Sequence, residues 1–237
     1  MNIATLSPKP RIILGLMTFG PNPSKGARIT DIGVFQSCLT ELSSRGYNEL
    51  DTARVYIDGA QEAFTAAAGF EEKGFAIATK VYPTPPYSHE PTVLRQALET
   101  SLRELGLGEG RGVDIFYLHA ADRGTNFEET LRECDSLFRE EKFTTLGLSN
   151  FTAFEVAEVQ IICRERGWVR PRVYQGMYNC ISMFLLLFYS SWGKLRRCHY
   201  SPLHRTGTHT LPSSLRHGHR DLQPSGRRPH VRQNHIA

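Results

Sequence analysis

The chain has 237 residues and a mass of 26.8 kDa, with 40% hydrophobic and 22% charged residues, enough apolar material for one or at most two globular domains and too much for a wholly disordered chain. Its longest apolar run, residues 183–189, falls well short of the ~20 residues of a spanning helix, and the N-terminus lacks a signal-peptide pattern, so the expectation is a cytoplasmic protein with no membrane partner. The formal charge of +4 is unevenly held: residues 1–180 carry 19 Lys and Arg against 23 Asp and Glu, whereas residues 181–237 carry 9 against 1, together with seven of the nine histidines.

In chain order, β-rich runs at 12–16, 49–51, 75–79, 113–118, 145–148 and 173–176 alternate with longer helical patterns, which predicts βα units around a parallel sheet. The near-continuous apolarity of these runs fits strands covered on both faces. Between the first two runs, Val34, Phe35, Cys38, Leu39 and Leu42 form a helical stripe. Leu94, Leu98, Leu102 and Leu105 form a second, and Phe127, Leu131, Cys134 and Phe138 a third. Asn126 with Glu129, and Thr152 with Glu155, have capping-box spacing and predict helix starts. Beyond Cys180 periodicity stops, and no element is predicted there. The five cysteines, Cys38, Cys134, Cys163, Cys180 and Cys198, are odd in number and scattered, and read as reduced thiols.

Polar residues interrupt the strand runs at their C-terminal ends, the end at which barrel enzymes place their active sites. Asp51 closes the second run and Tyr56 follows it; Lys80 closes the third, His119 the fourth, and Ser149 and Asn150 the fifth. Singly, each has a plain structural reading: Asp51 as a helix cap, Tyr56 as half-buried packing, Lys80 as a solvated charge, His119 as a satisfied core histidine. Jointly they make a proton-transfer set. A tyrosine of ordinary pKa, near ~10, is a poor acid at neutral pH, but a neighbouring ammonium such as Lys80 stabilises its phenolate. Asp51 would hold that ammonium charged and fixed, and a neutral His119 would hydrogen-bond a carbonyl oxygen.

Five segments in order, 49–56 (Glu-Leu-Asp-Thr-Ala-Arg-Val-Tyr), 78–80 (Ala-Thr-Lys), 114–119 (Asp-Ile-Phe-Tyr-Leu-His), 147–151 (Gly-Leu-Ser-Asn-Phe) and 174–179 (Tyr-Gln-Gly-Met-Tyr-Asn), resemble the aldo-keto reductases, most nearly the aflatoxin-aldehyde reductase branch. The resemblance covers about residues 12–179. It implies a (β/α)8 TIM barrel that reduces aldehydes or ketones with NADPH and no metal, on a small-molecule carbonyl substrate, dicarbonyl or dialdehyde compounds suiting the branch. Tyr56 would be the general acid, Asp51 and Lys80 would tune it, and His119 would orient the substrate. Ser149, Asn150 and Gln175 match positions that hydrogen-bond the nicotinamide carboxamide. A runner-up within the fold is a non-enzymatic regulatory subunit resembling the potassium-channel β-subunits, or an inactive reductase fragment. A homodimer stays open.

The sequence departs from the family after Asn179. Six of eight strands are expected, and the Tyr-Asn-Pro-Leu-Ala-Gly-Gly-like motif that follows the family's seventh strand is missing, as are the positions that hold the adenosine 2′-phosphate. Residues 1–180 therefore read as the first three quarters of the barrel, and 181–237 as a basic His/Arg-rich tail, disordered or translated out of frame. Back-translating residues 219–228 and reading one nucleotide later permits Ile-Glu-Ile-Tyr-Asn-Pro-Leu-Ala-Gly-Gly, the missing motif. The histidines of the tail lack metal-ligand spacing, and its basic residues lack a nucleic-acid-binding motif with interleaved aromatics.

Overall fold

The computed structural model describes residues 10–83, 89–108 and 110–177, and the backbone of 196–200. The chain divides into two compact units, residues 1–202 and 203–237, the second lying outside the described residues. So do the 180/181 boundary, the segment 183–189 and the frame-shift reading of residues 219–228.

Strands β1 (Leu14–Gly15), β2 (Glu49–Asp51), β3 (Ala76–Val81), β4 (Val113–Leu118), β5 (Phe143–Ser149), β6 (Val173–Met177) and β7 (Arg196–Tyr200) form one parallel sheet in sequence order. Helices α1 (Ile32–Ser44), α2 (Gln61–Ala67), α3 (Pro91–Glu104), α4 (Phe127–Arg139) and α5 (Ala153–Arg166) fill the crossovers. This is an incomplete (β/α)8 barrel. β7 is formed by the backbone of residues 196–200, beyond Cys180, where the sequence shows no periodicity. Its five residues pair in parallel with β6, so they add to a backbone edge that β6 would otherwise expose. A strand recruited by edge pairing needs no side-chain period of its own.

Strand alternation sorts the side chains onto two faces. Leu50, Phe116, Leu118, Leu146 and Leu148 point outward into the main core, where they meet Phe35, Leu39, Leu94, Leu98, Leu131 and Leu137 from the helices. The opposite face carries a smaller cluster of Ala78, Ile115, Tyr117 and Val173. It also borders a cavity of about 920 Å³ that runs from the strand starts up to Asp51. Gly147 belongs to this inner face, and a Cβ there would overlap the Tyr117 ring, with Val173 on its other side. Gly147→Ala should therefore destabilise the fold by about 1–3 kcal/mol, the cost of overpacking a filled interior, read as a lower urea midpoint at unchanged m-value.

Local chemistry explains the helix boundaries. The Asp31 side chain accepts from Val34 N at the start of α1. Thr152 and Glu155 form the reciprocal capping box expected at α5, which ends at Gly167 with φ 69°. Asn126 caps α4 differently: it accepts from Glu128 N at 2.8 Å, and no reciprocal box with Glu129 forms. Val34 and Phe138, placed on apolar stripes by spacing, stay 48% and 37% exposed, because each lies at the margin of its stripe and the sheet takes up the centre. Cys38, Cys134 and Cys163 are free thiols, and burial pushes the Cys163 thiol up to about 12. Among the described residues no helix is long and apolar enough to cross a membrane.

Candidate active site

The strand register brings the predicted residues to one end of the sheet. Asp51 pairs with Ala78, Lys80 with Tyr117, Tyr117 with Gly147, and Ser149 with Gln175. Because the side-chain period is two, Asp51, Lys80, Ser149 and Gln175 fall on the same inward face at successive strand ends. His119 follows β4 directly and is fixed by its backbone N–H to Val81 O at 3.0 Å.

Lys80 is the hub and is fully buried. Its Nζ donates to Asp51 Oδ2 at 2.6 Å, to Thr52 O at 2.7 Å and to Tyr56 Oη at 3.3 Å, which accounts for all three ammonium hydrogens. The same nitrogen lies 5.0 Å from the centre of the Tyr56 ring and 5.9 Å from that of Tyr117. The His119 ring meets Tyr56 edge-on at 5.9 Å and Tyr82 edge-on at 5.3 Å. Burial, then the Lys80 charge and His89, push the His119 pKa down to about 3, so the imidazole is neutral at physiological pH. Its Nδ1 is buried and has no hydrogen-bond partner among the described residues.

The depressed pKa makes a prediction with a definite sign. Between about pH 3 and the ordinary histidine value of 6.5, the unfolded chain binds a proton at this position that the folded chain does not, so stability is lost as pH falls through that window. Buried His89 is shifted in the same direction, by burial first, and adds to the loss. Urea midpoints at pH 7 and pH 5 should therefore differ for the chain, and His119→Gln should flatten the difference. An unchanged slope in His119→Gln would mean that this histidine is protonated in the fold.

Asn150 adopts a left-handed backbone, φ 56°, which asparagine tolerates better than most residues. Its Nδ2 donates to His119 O at 2.9 Å and to Ser149 Oγ at 3.1 Å. Both donors of the Asn150 amide are thus spent inside the chain, and Oδ1 is what it can still offer.

Four further residues join the site, none of them given a role by the motifs. Thr52 contributes a carbonyl, Tyr82 packs on His119, and Arg54 and Glu62 form a buried ion pair at 2.5 Å behind the Tyr56 turn. Glu62 alone left a signal, as an acidic residue among Gln61, Phe64 and Thr65 on the buried side of α2.

Several proteins share this chain's sequence or fold. Human aflatoxin B1 aldehyde reductase member 2 is 40% identical over 201 residues, covering 77% of this chain and 53% of the relative. Human aldo-keto reductase family 7 member A3 is 41% identical over 178 residues, covering 73% and 51%. The chain thus spans about half the length of the curated relatives it matches. An aldo/keto reductase from Klebsiella pneumoniae, solved in complex with NADP and acetate, superposes with a TM-score of 0.66 at 22% identity, over 81% of this chain and 63% of that one. The family model for the aldo/keto reductases matches residues 11–185, which takes in every strand end that carries a site residue, and the chain belongs to that family.

Proposed function

We propose that this chain carries the proton-transfer half of an NADPH-dependent carbonyl reductase acting on aldehydes, with dicarbonyl or dialdehyde compounds as the substrate class. The observation that supports this most is the Lys80 hub: one buried ammonium shared between Asp51, the Thr52 carbonyl and Tyr56 Oη. Since Tyr56 Oη accepts from Lys80, its own O–H is the proton it can donate. A carbonyl oxygen placed beside it would take that proton as charge develops, and the ammonium stabilises the phenolate left behind. Asp51 fixes the ammonium. His119, neutral, offers a ring N–H to the same oxygen and draws no proton of its own from solvent.

The polar groups that remain suit a carboxamide-bearing cofactor. Ser149 Oγ accepts from Asn150, so its hydroxyl can donate; Asn150 Oδ1 can accept; and Gln175 stands beside Ser149 in register. These residues would orient a nicotinamide ring against the substrate. NADPH, when bound, supplies the hydride.

The test is steady-state turnover of an aldehyde panel by a chimera in which residues 1–179 continue into the last barrel units of human aflatoxin B1 aldehyde reductase member 2. NADPH-dependent reduction of at least one aldehyde is expected. A chimera that binds NADPH and reduces no carbonyl would remove the enzyme reading and leave the regulatory-subunit one.

A further inference from the structure

The turn that carries Tyr56 is held in an unfavourable conformation. Ile57, Asp58 and Gly59 are all left-handed, with φ of 49°, 57° and 86°, and a β-branched residue is rarely found there. Such a turn persists only where its surroundings over-determine it. The backbone follows β3 as far as Arg54, whose N–H donates to Lys80 O at 3.0 Å, and then leaves it. From there Arg54 takes over with its side chain. Nη2 donates to Gly59 O, closing a loop around Tyr56, and Nη1 faces Glu62 Oε2 at 2.5 Å. The other carboxylate oxygen of Glu62 accepts from Thr79 Oγ1 at 2.6 Å. Glu62 and Thr79 are fully buried.

We propose that Arg54 and Glu62 are positioning residues, a buried clamp that fixes the height of Tyr56 over Lys80. Both ends of the Tyr56 segment are thereby referred to consecutive residues of one strand: its hydroxyl to Lys80, its backbone, through Gly59, Arg54 and Glu62, to Thr79. A buried ion pair is a poor source of stability compared with apolar packing of the same volume, so its use here points to geometry. Burial raises the Glu62 pKa, and the hydrogen bond from Thr79 and the charge of Arg54 oppose the rise. Ile57 packs against Gly20, and Lys25 and Asp58 form an exposed ion pair on the same turn.

The catalytic consequence rests on the carbonyl-reductase reading, but the clamp itself can be tested without it, by amide hydrogen exchange on the full chain. In Arg54→Met the amides of residues 56–60 should exchange at least about tenfold faster, while Ile115 and Phe116 in β4 keep their protection. Glu62→Gln, which keeps the Thr79 bond, should give a smaller change of the same kind. In the chimera, Arg54→Met should lower kcat by about 10²-fold with KM for NADPH unchanged, as for a displaced catalytic group. Exchange that quickens equally in the turn and in β4 in both single variants, or not at all in the turn, overturns the clamp. A chimera inactive with its natural residues removes the reductase reading and leaves the exchange result standing.

Discussion

Tyr56→Phe, in the chimera that completes the barrel, should lower aldehyde reduction by roughly 10²–10⁴-fold, the usual worth of a positioned general acid, while the NADPH dissociation constant stays within about twofold. The substitution removes one oxygen and its proton. The ring remains, and with it the edge contact to His119 at 5.9 Å and the position 5.0 Å from Lys80 Nζ, so the mouth keeps its shape. No comparably clean variant exists at Lys80 or Asp51. Either change leaves the other buried without its 2.6 Å partner, and an uncompensated buried charge costs about 3–5 kcal/mol, confounding loss of chemistry with loss of fold. Single-turnover hydride transfer with saturating NADPH is the measurement to make. A Tyr56→Phe rate within tenfold of the parent would take the proton-donor role away from Tyr56 and leave His119 as the remaining candidate.

The site was legible in the sequence to the extent that it follows from strand alternation. Asp51, Lys80 and Ser149 each sit at an inward position near a strand's C-terminal end, and an apolar run broken by a polar residue marks that position without any knowledge of the fold; Gln175, on the same face, is reached only through the resemblance. The sheet order was legible for the same reason, since short crossovers leave consecutive strands adjacent. What escaped depends on chain geometry that no periodicity encodes. Thr52 acts through its carbonyl, to which its side-chain type is indifferent. Arg54 and Glu62 meet only because a left-handed turn folds residues 56–59 back over the end of β3. The commitment of both Asn150 donors to His119 O and Ser149 Oγ likewise follows from the folded geometry and not from the residue type, because the same asparagine with its amide reversed would present donors to a ligand. β7 was invisible because its partner is the edge of β6, and its own residues carry no apolar period.

The 237-residue chain itself should bind NADPH at least about 10²-fold more weakly than the chimera. The nicotinamide end of such a cofactor would find Ser149, Asn150 and Gln175, but most of its free energy of binding comes from charged groups at the other end, where phosphates need backbone N–H donors and cationic side chains. The sequence contains no Tyr-Asn-Pro-Leu-Ala-Gly-Gly segment to provide them. Losing two or three charge-assisted hydrogen bonds, each worth about 1.5–3 kcal/mol, removes several kcal/mol, and each 1.4 kcal/mol is a factor of about ten in affinity. Residues 181–237 are basic, nine Lys and Arg against one Asp, so a non-specific attraction to the cofactor's phosphates is expected at low salt. Fluorescence titration of chain and chimera in parallel, at low and at physiological ionic strength, separates the two contributions. Weak binding that vanishes with salt fits a screened tail. Micromolar binding that survives physiological salt would mean that residues 181–237 build a phosphate site of their own, and that they complete the barrel's function by a route the family's motif does not describe.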